Sequence, residues 1–197
     1  MVSALAGPTT DTYDGSVETV HQPPHSTPAR PDTRDWTFVV TEPCPQCGFR
    51  PGQPHATIAA RLRASVPRWQ EVLARPDVAI RPEPDVWSAL EYAGHVLDLS
   101  RVFTVRVEQM RSQDRPTFRD WDGEQAAVEG DYNARDPRSV AADQAIVANR
   151  AAELFDGLPE GAWNRTGLRG DGKLFTIAGL ADYWLHEVEH HLADVNG

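Results

Sequence analysis

Trp87, Ala89, Tyr92, Val96, Leu99, Phe103 and Met110 fall on one face of a single helix of about 25 residues, because side chains three, four and seven apart share a face at 3.6 residues per turn. At ~1.5 Å per residue that helix runs ~37 Å, and a one-sided stripe of that length needs partners of similar length. Three other segments supply them. Ile58, Leu62, Val66, Trp69 and Leu73 repeat with the same period, with Pro67 predicting a kink. Val140, Val147, Ala151, Leu154 and Leu158 follow Asp136-Pro137, an N-cap with proline in the first turn, and stop at Gly157-Leu158-Pro159. Ile177, Leu180, Trp184, Val188 and Val195 follow a capping Thr176. The expected fold is therefore all-α, a four-helix bundle over residues 55–197 with one long crossover. Asp85 is the expected N-cap of the second helix. The crossover is residues 112–135, rich in Asp and Glu, and Arg169-Gly170-Asp171-Gly172 suggests a tight hairpin between Trp163 and Phe175.

Nine of the 16 prolines lie in residues 1–54, where no apolar period is sustained. Residues 1–35 read as a disordered arm, and residues 36–54 as a short extended piece and a turn carrying Cys44 and Cys47. Acidic residues number 29 against 19 basic ones, a net charge of −10, and no basic stripe is present. A nucleic-acid partner is not expected. Neither is a membrane partner, since no apolar run approaches the ~18 residues of a span. The start of the chain lacks the basic and apolar regions of a signal peptide, so the expected location is the cytoplasm.

The densest set of metal-capable side chains is His186-Glu187-Val188-Glu189-His190-His191. Read literally, His186-Glu187-x-x-His190 is an H-E-x-x-H pattern, two zinc ligands one turn apart with a glutamate base. That reading makes the chain a metal-dependent hydrolase, but a third ligand would have to come from upstream. On a helical wheel His186 and His190 point away from the apolar stripe, toward a face that is usually solvent in a bundle. Glu187 and His191 border the stripe beside Leu180 and Trp184. They are the preferred ligands, with His186 and His190 as the alternative pair. His95 on the second helix is the third candidate, and Gly94 before it allows another helix to approach closely. Two histidines and one carboxylate leave an open position for water or substrate, as in catalytic zinc sites, and nickel, iron or manganese suit the same donors. Asp98 and Glu91, one turn either side of His95, are candidates to orient its imidazole. Trp87, Tyr92 and Tyr183 are candidate pocket walls, although aromatics at helical spacing are ordinarily core. A non-enzymatic helical binding or dimerisation module is the remaining reading.

Trp87-Ser-Ala-Leu-Glu-Tyr-Ala-Gly-His95-Val-Leu-Asp98 resembles the second helix of the DinB-like superfamily. Glu187-Val-Glu-His-His191-Leu-Ala-Asp194 is similar to the Glu-x-x-x-His-x-x-Asp run of the related mycothiol-dependent maleylpyruvate isomerases. The resemblance covers roughly residues 55–197, and a Cys-Pro-x-Cys-Gly segment like Cys44 to Gly48 also occurs ahead of the bundle in similar proteins. It implies a bundle holding a divalent metal through His95, Glu187 and His191, and often a homodimer. It also implies a small-molecule substrate and a thiol cofactor such as mycothiol, activated for transfer or isomerisation. Cys44-Pro-Gln-Cys47 itself has knuckle-like spacing but no second pair, and His21, His25 and His55 are poorly placed to complete a site. An exposed thiol pair or a reversible disulfide is the expectation there.

Overall fold

The computed structural model describes residues 29–197. Most of the expected arm, with His21 and His25, lies outside the described residues. Four long helices form the bundle: α1 (His55–Leu73), α2 (Ala89–Ser112), α4 (Pro137–Asp156) and α5 (Ile177–Asp194), with a short α3 (Gly123–Glu129) in the crossover. Helix α1 packs on α4 and α5, and α2 packs on the same two helices. Their apolar stripes meet in one core that includes Leu62, Trp69, Leu97, Phe103, Trp184 and Leu185. Two polar contacts set the heights of the helices inside it. Trp184 Nε1 donates to Ser100 Oγ at 2.9 Å, and Gln144 Nε2 donates to the Ala93 carbonyl at 2.8 Å. Among the described residues no helix is long and apolar enough to cross a membrane.

Helix boundaries follow local chemistry. Asp136 caps α4 with Pro137 in its first turn, and Thr176 Oγ1 accepts from Gly179 N at 2.9 Å to cap α5. Helix α1 continues through Pro67 as one 19-residue element. Helix α2 begins later than Asp85 suggested, because Ser88 and Glu91 form a capping box: Ser88 Oγ accepts from Glu91 N and Glu91 Oε2 accepts from Ser88 N at 2.8 Å. Asp85 instead pairs with Arg30. The expected hairpin is present as β2 (Thr166–Arg169) and β3 (Leu174–Thr176), antiparallel. Strand β1 (Thr117–Phe118), from the crossover, adds to β2 in parallel and makes a three-stranded sheet at one end of the bundle.

Residues 36–54 differ from the expected extended piece. Trp36–Val40 form a 3-10 helix capped by Asp35, and Val39, Cys44 and Phe49 are buried in the core. The segment is tied to α5, where Asp182 accepts from the amides of Gly52 (2.7 Å) and Gln53 (3.2 Å). Arg61 of α1 holds Glu189 with two hydrogen bonds of 2.9 and 2.5 Å on the same side.

Gly94 lets a short 3-10 helix, Tyr132–Ala134, approach closely, not one of the long bundle helices. A Cβ there would lie 2.9 Å from Cγ of the fully buried Tyr132. That ring cannot easily shift, because its hydroxyl donates to Asp98 at 2.7 Å and Arg135 covers its face. Gly94→Ala sets an overpacking cost of ~1–3 kcal/mol against a helix-propensity gain of ~1 kcal/mol. We expect a net loss of up to about 2 kcal/mol in urea unfolding; a raised midpoint would show that Tyr132 yields.

Candidate metal centre

Helix α5 buries three faces at its middle. Leu180, Trp184 and Val188 enter the core, while Glu187 and His191 face α2, and His186 and His190 face the 36–54 segment. His95 Nε2 lies 3.5 Å from Glu187 Oε2, and His191 Nε2 lies 3.6 Å from the same oxygen. Donor atoms of these three residues all lie within 4.8 Å of one another. The structure thus brings together the three ligand candidates of the sequence, from two helices 92 positions apart in chain order at their nearest members, His95 and Glu187.

The donor set suits a divalent cation. Glu187 is buried, and among the described residues its ion-pair partners are His95, His186 and His191, with no Lys or Arg. A buried carboxylate needs compensation by charge or by metal, and imidazole is the ligand that accepts either a proton or a metal ion. Burial pushes the Glu187 carboxyl up, but hydrogen bonds from His186, His191 and His95 outweigh it and hold the pKa well below the usual carboxylate range. His191 also has an orienting partner: Asp194 Oδ2 lies 2.8 Å from its Nδ1. This carboxylate–imidazole contact leaves Nε2 directed at the centre, the arrangement that supports metal-bound histidines. Burial pulls the His191 pKa down, and the hydrogen bonds to Asp194 and Glu187 more than reverse it, raising it to about 9. Burial dominates at His95 and lowers its pKa. Gly123 of α3 cradles that ring, since a Cβ there would lie 2.7 Å from His95 Cε1.

Two expected orienting residues are engaged elsewhere. Glu91 closes the capping box and pairs with Arg81, while Asp98 accepts from Tyr132, Arg135 and Arg101. Neither hydrogen-bonds the His95 ring, whose Nδ1 has no hydrogen-bond partner among the described residues. The orienting carboxylate is instead Asp194, three residues after His191 and readable from that spacing.

The centre lies in the wall of a cavity of about 480 Å³, within the size range of small-molecule sites. Trp87 and Tyr183 line it as expected, whereas Tyr92 lies beside it, with its ring 5.0 Å from that of His191. The sequence reading missed the crossover, which supplies Asp120, Trp121 and Glu124, and missed Arg106 of α2. Trp121 packs on His95 with ring centroids 5.4 Å apart; a lone tryptophan in a polar stretch was its signal. Arg106 is buried between Phe103 and Phe118 and donates to the Arg119 carbonyl at 3.1 Å. Among the described residues no carboxylate lies within ion-pairing distance of it.

The expectation of a solvent face for His186 and His190 is corrected. Both are buried, under Trp36 and Phe49, because the 36–54 segment covers that side of α5. Cys44 is buried there too, so it is not an exposed thiol. His55 stacks on Trp163 instead, with centroids 4.0 Å apart.

These features define a helical-bundle protein with its candidate donors on the second and last bundle helices. The sequence profile of the DinB superfamily matches residues 76–195, which include both, and the chain belongs to the DinB superfamily. Among solved structures, YfiT from Bacillus subtilis aligns with a TM-score of 0.64 at 15% identity, over 72% of this chain and 85% of that one. YfiT is described as a probable metal-dependent hydrolase with an unusual four-helix bundle topology. The likeness shows the shared fold. No curated protein sequence matches the chain significantly.

The His191 shift makes the metal-free fold sensitive to alkali. Its pKa is raised from 6.5 to about 9, so the stabilisation is complete below ~6.5 and is lost as pH rises through ~9. Urea unfolding of chelator-treated protein should show stability falling across that window by on the order of 3 kcal/mol. His191→Gln, which cannot titrate, should flatten the fall; equal slopes in both proteins would place its origin elsewhere.

Proposed function

We propose that the chain is a metal-dependent enzyme in which His95, Glu187 and His191 hold a divalent cation, zinc foremost, for transfer or isomerisation of a small molecule with a low-molecular-weight thiol such as mycothiol. The observation that carries this reading is the convergence of two imidazole Nε2 atoms on one Glu187 oxygen, 3.5 and 3.6 Å away, beside a cavity of about 480 Å³. A divalent cation held there lowers the pKa of a thiol or water ligand and so supplies a nucleophile near neutral pH. Three protein donors leave room for such a ligand.

The remaining work falls to the chain. Asp194 holds His191 in one tautomer and orientation. Trp87 and Trp121 flank the His95 ring, with centroids 5.2 and 5.4 Å from it, and wall the cavity beside the centre. Arg106 presents the cavity with a cation that has no carboxylate partner among the described residues, which suits a substrate bearing an anionic group. With water in place of thiol the same centre would support hydrolysis, the class named for YfiT.

The deciding experiment titrates metal into chelated wild-type, His95→Ala and His191→Ala proteins by calorimetry. Both substitutions should abolish a binding event present in the wild type, and Asp194→Asn should weaken that event ~10–100-fold. An identical binding isotherm in His95→Ala would sink the assignment. Turnover of electrophilic substrates by the metal-loaded protein, with and without added thiol, then separates transfer from hydrolysis. Arg106→Met should raise KM for an anionic substrate about tenfold or more, with little change in metal affinity.

A further inference from the structure

A second cluster of donors lies across Glu187 from the first and is not used by the proposed reaction. Cys44, Cys47, His186 and His190 each place a donor atom within 4.8 Å of all the others. Cys44, His186 and His190 are 1%, 0% and 5% exposed. Cys44 Sγ lies 3.8 Å from His190 Nδ1, and the two imidazoles stack with centroids 4.8 Å apart, as the i,i+4 spacing on α5 requires.

Each ring already has a carboxylate on one nitrogen. His186 Nδ1 lies 3.3 Å from Glu187 Oε1, and His190 Nε2 lies 3.6 Å from Asp194 Oδ2. The other nitrogen of His186, Nε2, is buried and has no hydrogen-bond partner among the described residues. An orphaned ring nitrogen at this depth costs about 1–3 kcal/mol unless something binds it. A carboxylate on the far side of the ring is also how metal-bound histidines are held.

The cysteine half is shaped for the same purpose. Cys44-Pro45-Gln46-Cys47-Gly48 turns back on itself, with Gly48 N donating to the Cys44 carbonyl at 2.9 Å and Gly48 at a φ of +76°, where a side chain would be strained.

We propose that Cys44, Cys47, His186 and His190 form a second, closed Cys2His2 site for a divalent metal, suited to zinc, whose role is structural. Four protein donors of this kind fill a tetrahedral shell, so no position is left for substrate. The site fastens the 36–54 segment to α5, and with it the covering over His186 and His190. It also supplies the second ligand pair that Cys44 and Cys47 lack in the sequence, since that pair comes from a helix more than 130 residues away.

The test uses the full chain with the first centre dismantled by His95→Ala and His191→Ala, so that failure of the proposed reaction does not affect the result. That protein should retain about one equivalent of zinc after dialysis, and its cobalt-substituted form should show thiolate-to-cobalt charge-transfer absorption with the intense visible bands of a tetrahedral site. Adding Cys47→Ser should remove the equivalent and the charge-transfer band together. The unsubstituted protein loaded with cobalt should show the same band, which keeps the test open if the triple variant fails to fold. A cobalt protein without thiolate charge transfer, zinc retained in full after Cys47→Ser, or a Cys44–Cys47 disulfide in freshly purified protein would each overturn the proposal.

Discussion

The buried carboxylate of Glu187 constrains everything around it. Taking a carboxylate out of water costs several kcal/mol that only close opposite charge or strong hydrogen bonding can offset. Here the offset comes from three imidazoles, two from its own helix and one from α2. That requirement fixes the rotation of α5. Turning the helix by one residue, ~100°, would bring Val188 or His186 to the position of Glu187 and leave the carboxylate in apolar packing. It also fixes where α2 must pass, because His95 is the partner that α5 cannot supply for itself.

A helix so arranged has no free face along its middle, and the rest of the chain is organised to cover it. The apolar face takes α1 and α2, the Glu187 face takes α2 and the crossover, and the His186 face takes residues 36–54. Asp182 and Glu189 mark the edges of the last face and are themselves satisfied, by the Gly52 and Gln53 amides and by Arg61. Without that cover, His186 would be a half-paired imidazole at the surface, and its contact with Glu187 would be screened by water.

The long helices and the hairpin were legible because burial imposes a period on sequence, and caps such as Asp136-Pro137 and Thr176 act within one turn. The start of α2 was misplaced because Asp85 and Ser88 are both competent caps, and only Ser88 has Glu91 three residues on. The trio His95, Glu187 and His191 was legible from helical direction combined with resemblance. Its surroundings were not. The wheel assumed that only helices cover helices, so it gave His186 and His190 to solvent. Residues 36–54 have no period, and their burial depends on contacts with α5 that no local rule predicts. Asp98 and Glu91 were on the correct helix at a plausible spacing, but each had a nearer cation or hydroxyl to satisfy. Arg106 was invisible for a related reason: an arginine at helical spacing reads as surface until the crossover closes over it.

Glu187 also links its two sides electrostatically. Its Oε1 faces His186 and its Oε2 faces His95 and His191, so one charge is shared between two histidine clusters. A cation among Cys44, Cys47, His186 and His190 makes that cluster formally neutral, two thiolates against two positive charges. His186 would then keep its proton on Nδ1 and donate a hydrogen bond to Glu187 as a neutral ring. The full carboxylate charge remains for a cation held by His95 and His191. Were both proposed sites filled, Glu187 would be the one side chain shared between the closed cluster and the open one.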